Sequence, residues 1–296
     1  MNTTTRLKRL LAGTRCIVAP GVADAFAARM VAMEGFEACY MTGFGTSLTR
    51  LGMPDIGLLT MDEMVDNAAR IADACAMPLI ADADTGYGNA MNVRRTIREY
   101  ERAGVAGVHL EDQAWPKRCG HLAGKRVVPV AEMEAKLKAA VDSRRDGDFV
   151  VIARTDAIAV EGFDCALERG ERYRAAGADM VFIEAPTSLQ QLEALAERFR
   201  GTPLLYNMAA SGKTPDLDNA AMARLGFRLA IFPNWLILAA IPAMRRMLRE
   251  LKAKGSVADI RGEVATFREL TDIAGLPEVQ VLEERYGLPE DQRAGL

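Results

Sequence analysis

Eight short apolar runs, each ended by a polar or glycine-rich turn and followed by helical periodicity, set the strongest limit on what this chain can fold into. They fall at residues 16–19, 38–41, 79–81, 107–110, 149–153, 180–183, 203–206 and 229–232. Between them the spacing predicts helices over 24–34, 61–76, 92–103, 131–145, 164–176, 188–199 and 219–225, several opening on Asp, Asn, Ser or Thr and several closing on Gly. Such alternation implies right-handed crossovers and a parallel sheet, and eight strands are the number that closes a (β/α)8 barrel. An open doubly wound sheet usually begins with a dinucleotide fingerprint. Here Gly43-Phe44-Gly45 lacks the third glycine, with Leu48 at that place. The 296 residues suffice for one barrel, and no repeat or linker divides it, so residues 1–296 are expected to form a single barrel domain.

After the eighth run come an apolar helix at 234–253 and a tail whose periodicity runs through Val264, Phe267, Leu270 and Ile273 and through Val279, Leu282 and Tyr286. This helical extension, 234–296, exceeds what a barrel needs and is expected to cover the barrel's bottom or to pack on another subunit. The longest apolar run, 235–244, contains Pro242 and stops at Arg245-Arg246, short of the roughly 20 residues of a membrane span. No signal peptide is credible at the N-terminus. A formal net charge of −3, with both signs interleaved, leaves no footprint for nucleic acid or an acidic membrane. Five cysteines without CxxC spacing point to reduced thiols and a cytoplasmic protein.

In a parallel barrel the active site forms at the carboxyl ends of the strands. Those ends carry Tyr40, Thr42 and Gly43, then Asp82 and Asp84, His109 and Glu111, Arg154 and Asp156, Glu184, and Asn207. Asp82 and Asp84, two apart on an extended backbone, point to one face, and carboxylates so close repel unless a cation or proton lies between them. With Glu111 they make an oxygen set suited to Mg²⁺ or Mn²⁺. Arg154 is a carboxylate clamp or the partner of Asp156 or Glu184. His109, inside an apolar strand, reads as a core histidine. Ser211-Gly212-Lys213-Thr214 resembles the end of a phosphate loop, but Asn207 replaces its first glycine and Pro215 obstructs the following helix.

One loop stands apart, Trp115-Pro116-Lys117-Arg118-Cys119-Gly120-His121-Leu122-Ala123-Gly124-Lys125. Cys119 there has cationic neighbours that favour a thiolate, and His121 is placed to fix its charge state. Cys16, Cys39, Cys75 and Cys165 sit in or beside apolar or alanine-rich stretches and read as small hydrophobes.

The stretches Tyr40-Met41-Thr42-Gly43-Phe44-Gly45, Leu51-Gly52-Met53-Pro54-Asp55-Ile56-Gly57, Ala81-Asp82-Ala83-Asp84-Thr85-Gly86-Tyr87-Gly88, His109-Leu110-Glu111-Asp112-Gln113, Lys117-Arg118-Cys119-Gly120-His121 and Ala153-Arg154-Thr155-Asp156-Ala157 resemble the isocitrate lyase and phosphoenolpyruvate mutase superfamily. The cysteine loop resembles that of its carbon–carbon lyases. The resemblance implies a TIM barrel whose eighth helix is exchanged between paired subunits, within a homotetramer. It implies Mg²⁺ held mainly through Asp82, with Asp84 and Glu111 acting through water. Thr42, Gly43 and Phe44 would contact the carboxylate of a 2-hydroxy or 2-oxo acid, helped by Asp55, Gly120, Arg154, Glu184 and Asn207. Cys119 would be the general acid, with Lys117, Arg118 and His121 stabilising developing charge; the base is Tyr40 or a hydroxyl ionised by the metal.

After the seventh run, Asn207-Met208-Ala209-Ala210 resembles the dimethylmalate lyase and petal-death branch, with Ala210 where that branch usually has Glu. Methylisocitrate lyases typically carry Thr and Glu where this chain has Ala209 and Ala210. Oxaloacetate hydrolases are expected to have a serine where Pro233 stands. The expected substrate is therefore a 2-alkylmalate, cleaved to pyruvate and a short carboxylate. The alternatives are 2-methylisocitrate, oxaloacetate hydrolysis or decarboxylation, and a non-catalytic barrel that binds a 2-oxo acid.

Overall fold

The computed structural model describes residues 1–120, 123–210 and 212–295. His121 and Ser211 lie outside the described residues. The strands are β1 (Ile17–Val22), β2 (Cys39–Met41), β3 (Leu79–Asp82), β4 (Gly107–Glu111), β5 (Val150–Thr155), β6 (Met180–Ile183), β7 (Leu204–Asn207) and β8 (Phe227–Phe232). All neighbours pair in parallel and β8 returns to β1, closing the barrel. Each matches an expected run, with no end shifted by more than three residues.

The chain forms two compact units, Met1–Leu236 and Ile237–Leu296. In the first, the helices are α1 (Thr3–Leu11), α2 (Ala25–Met33), α3 (Gly43–Leu51), α4 (Met61–Ala74), α5 (Ala90–Arg102), α6 (Val130–Ser143), α7 (Phe163–Ala175), α8 (Leu189–Arg198) and α9 (Asn219–Arg224). α4 shows how the sequence builds them. Thr60 caps the Glu63 amide while the Glu63 carboxylate returns to the Thr60 amide, and Met64, Ala68 and Ile71 then fall on one buried face. Large apolar side chains buried in this way contribute about 1.5–3 kcal/mol each.

Side chains alternate along each strand. Ile17, Tyr40, Ile80, Ile152, Phe182, Leu205 and Ile231 fill the barrel, while Cys39, Leu79, Val108, Val151 and Val181 meet the helices outside. Leu7 and Leu11 of α1 join the interior cluster with Ala106 and Val150 at the strand starts. α1 therefore closes the barrel's bottom, a place the sequence reading offered to the C-terminal tail. Beside the junction of β1 and β8, Val18, Pro20, Met30, Phe36, Phe232, Trp235 and Leu236 line an apolar groove of about 610 Å³.

The twenty-residue helix α10 (Trp235–Lys254) begins at the end of the first unit and continues into the second, which also holds α11 (Phe267–Ala274) and α12 (Leu276–Arg285). Leu248, Phe267, Val281 and Tyr286 are each more than 60 % exposed, and Ile260 is the only large hydrophobe buried among the described residues of this unit. No helix among the described residues is long and apolar enough to cross a membrane.

Candidate active site

β3 delivers Asp82 to the open end of the barrel, where its Oδ1 accepts the Asp84 amide at 2.9 Å. Asp84 takes a left-handed backbone, φ 48°, which turns the chain away from the strand. Next door, Thr42 caps α3 by accepting the Gly45 amide on its hydroxyl. A Cβ at Gly43 would stand 2.4 Å from Asp82 Oδ2, so only glycine lets this helix start so close to the carboxylate. The first turn of α3 thus brings backbone N–H groups and the positive end of its dipole to the cavity.

Parallel pairing sets Glu111 beside Arg154. The guanidinium reaches Glu111 at 3.3 Å and Asp156 at 2.9 Å and lies 5.1 Å from the centre of the Phe182 ring. Burial raises Asp156, but Arg154 and Lys125 outweigh it and hold the carboxyl at about 2. Asn207 donates to Glu184 at 3.1 Å. Lys117 is buried, its ammonium 2.6 Å from both Asp55 and Asp84. Burial still pushes Asp84 up to about 7 against the pull of Lys117, so this carboxyl is short of positive charge.

The cysteine loop is tied over this set. The Cys119 amide donates to the Asp55 carbonyl at 3.0 Å, and Gln113 holds both the amide and the carbonyl of Arg118. The Arg118 guanidinium turns to the Ala123 carbonyl at 2.9 Å. Gly120 packs so tightly that a Cβ would lie 2.8 Å from Arg154 and 2.9 Å from Glu184. Beneath is a cavity of about 190 Å³ lined by Tyr40, Thr42, Phe44, Asp55, Asp82, Glu111, Lys117, Arg118, Cys119, Gly120, Arg154, Glu184 and Asn207. A space this small suits a short organic acid.

Of the residues expected from the sequence, Gly43 and Asp84 stand just behind this lining, against Asp82 and Lys117 respectively. The expectation for His121 falls outside the described residues. His109, read as core, is indeed fully buried, yet it hydrogen-bonds the Tyr40 hydroxyl at 2.8 Å and lies 3.6 Å from Asp82. Burial lowers His109 to about 4, against the Asp82 charge, so its ring is neutral. Four wall residues were not expected from the sequence, Pro54, Phe182, Ile231 and Asn234, while Pro233, expected only as the position that sets the chain apart from oxaloacetate hydrolases, also lines the wall. Phe182 was within reach of a sequence reading, since it lies two residues before Glu184 and shares its face.

The donor set suits a divalent cation. Among the described residues, Glu111 Oε1 and Asn207 Oδ1 are buried without a hydrogen-bond partner, and burial pushes Glu111 well above the usual carboxylate range. No three acidic, His or Cys side chains among the described residues converge as a direct ligand cluster.

A closed parallel (β/α)8 barrel with acidic strand ends, a buried arginine and a cysteine-bearing loop beside a small cavity has the form of a barrel enzyme with its site at the carboxyl ends of the strands. The phosphoenolpyruvate phosphomutase model matches residues 7–252, and the chain belongs to that family, within the isocitrate lyase superfamily. Its relatives include named lyases. It is 46 % identical to a 2,3-dimethylmalate lyase of Eubacterium barkeri over 97 % of this chain and 99 % of that one. It is 42 % identical to a 2-methylisocitrate lyase of Aeropyrum pernix, over 91 % and 86 %. Among solved structures, a 2,3-dimethylmalate lyase superposes with a TM-score of 0.94 at 38 % identity, covering 100 % of this chain and 99 % of that one. An oxaloacetate acetylhydrolase with 3,3-difluorooxalacetate gives 0.93 at 38 %, covering 98 % of each. A phosphonopyruvate hydrolase with oxalate and Mg²⁺ gives 0.87 at 30 %, covering 97 % and 99 %.

Proposed function

We propose that this enzyme cleaves the C2–C3 bond of a 2-alkylmalate, of the 2,3-dimethylmalate type, to pyruvate and a short carboxylate. The observation that carries the choice of substrate is the apolar part of the cavity wall: Pro54, Phe182, Ile231 and Pro233 offer no partner to a third carboxylate and suit an alkyl group. The site's named relative at 46 % identity supports the same reading.

Asp82, with Asp84 and Glu111 through water, would hold Mg²⁺ or Mn²⁺, which supplies charge for the substrate's hydroxyl and carboxylate oxygens. Arg154 clamps a carboxylate, and the α3 amides of Gly43 and Phe44 bind another. Tyr40, as its phenolate, is the side chain placed to take the hydroxyl proton, with neutral His109 fixing the phenol oxygen through their hydrogen bond. As the C2 oxygen becomes a carbonyl, the C2–C3 electron pair passes to C3 and is spread onto its carboxylate. The Cys119 thiol then gives C3 its proton. Lys117 and Arg118 hold the loop over the cavity and lend positive charge to it, and His121 belongs to the same loop by sequence.

The barrel's apolar groove and the exposed apolar faces of α10 to α12 support helix exchange between two copies, within a homotetramer. Reduced cysteines fit a cytoplasmic enzyme. The test is pyruvate release from 2,3-dimethylmalate, 2-methylmalate and 2-methylisocitrate, each with Mg²⁺ and with EDTA. Metal-dependent release from the malates is expected. Release only from 2-methylisocitrate would overturn the substrate reading, and release from none would leave oxaloacetate or a non-catalytic barrel.

A further inference from the structure

The segment from Gln113 to Val128 leaves β4 and returns on itself: Gln113 and Val127 form an antiparallel bridge, and the Ala114 amide donates to the Arg126 carbonyl at 2.8 Å. Lys125 is therefore one residue from a fixed root. Its side chain is only 4 % exposed, and its ammonium donates at 2.6 Å to the carbonyl of Gly120 and at 2.9 Å to Asp156 Oδ1. Asp156 in turn holds Arg154 at 2.9 Å. One buried cation thus joins the backbone beside Cys119 to the arginine that faces the cavity.

From this geometry we infer that Lys125 is a positioning residue for the reaction: it fixes the Gly120 carbonyl, and so the Cys119 thiol, relative to the carboxylate held by Arg154. The inference rests on reading Cys119 as the acid. Burying an ammonium is costly unless acceptors surround it, and both acceptors here belong to the site. The side chain touches no cavity surface, so it acts through Gly120 and Asp156. A charge-assisted hydrogen bond to Gly120 favours the observed loop placement by about ten- to a hundredfold.

The variant Lys125→Met, in the full chain with Mg²⁺, tests this. Turnover of the alkylmalate is expected to fall at least thirtyfold in kcat, with KM changed less than about threefold, because binding groups stay and the acid moves. In parallel, iodoacetamide labelling is read on the tryptic peptide that begins at Cys119, with oxalate bound. Labelling there is expected to rise at least fivefold, while the buried Cys39 and Cys75 keep their wild-type rates. Equal labelling at Cys119 in variant and wild type, or a common rise at all three cysteines, would overturn the inference. If Lys125→Met does not fold, Lys125→Gln is read in the same way with a smaller expected rise. Failure of both to fold would make Lys125 a structural residue and overturn it as well. Should the wild type release no pyruvate, the substrate reading falls, and the labelling still decides the role of Lys125.

Discussion

The Tyr40 hydroxyl lies 2.8 Å from His109 Nε2, with the two rings stacked at 23° in the floor of the cavity. One of this pair faces the substrate space and the other is sealed behind it. Tyr40→Phe keeps the ring and removes the proton path. We expect kcat to fall about a hundredfold or more with binding of oxalate and Mg²⁺ retained, read by steady-state kinetics and calorimetry. Near-normal kcat would assign the hydroxyl's proton to another acceptor.

Cys119→Ser tests the other end of the proton path. A hydroxyl is a far weaker acid than a thiol, so the variant should keep metal and pyruvate binding and lose most cleavage, about a hundredfold or more. Turnover within threefold of wild type would remove Cys119 from the mechanism.

Gly120→Ala adds a methyl group where Arg154 and Glu184 leave 2.8 and 2.9 Å. Either the loop or the clamp must shift, and a misplacement of about 1 Å costs around a hundredfold in rate. The expected result is that loss with an unchanged melting temperature. Wild-type kcat/KM in a folded Gly120→Ala protein would show that the loop does not hold this place during turnover.

Asp156 gives a pH signature. Its folded carboxyl stands at about 2, below the ordinary 3.8, so its contribution is present above pH 3.8 and is lost as pH falls toward 2. The full effect is about 2 kcal/mol, of which about 1 is gone by pH 3. Asp156→Asn cannot titrate. Urea unfolding of both proteins at pH 6, 4 and 3 should therefore show their difference in stability shrinking by about 1 kcal/mol, and a constant difference would contradict the buried ion pairs with Arg154 and Lys125.

Much of this was legible because barrel strands announce themselves as short apolar runs and because charged residues at strand ends, such as Asp82, Glu111 and Arg154, have few reasons to be there other than chemistry. The rest was hidden for physical reasons. α3 begins Gly43-Phe44-Gly45, a sequence that local propensity disfavours as helix, and it forms because the Thr42 cap and the packing against Asp82 override that preference. α1 is short and polar, and only Leu7 and Leu11 reveal that it plugs the barrel. Ile231 carries no chemical sign until the closure of β8 onto β1 brings it to the cavity. Asp112 was seen in its motif without a role. Fully buried, it accepts from Thr155 at 2.7 Å, the Asp156 amide at 3.0 Å and Tyr173 at 2.8 Å, and so fixes the end of β5 from which Arg154 projects.

The most direct measurement is cleavage of 2,3-dimethylmalate in D₂O with Mg²⁺, followed by mass analysis of both products. Pyruvate and propionate are expected in equal amounts, the propionate carrying one deuteron at C2, delivered by the exchanged Cys119 thiol to the carbanion. Absence of cleavage while 2-methylisocitrate is turned over, or propionate formed without deuterium, would contradict this mechanism.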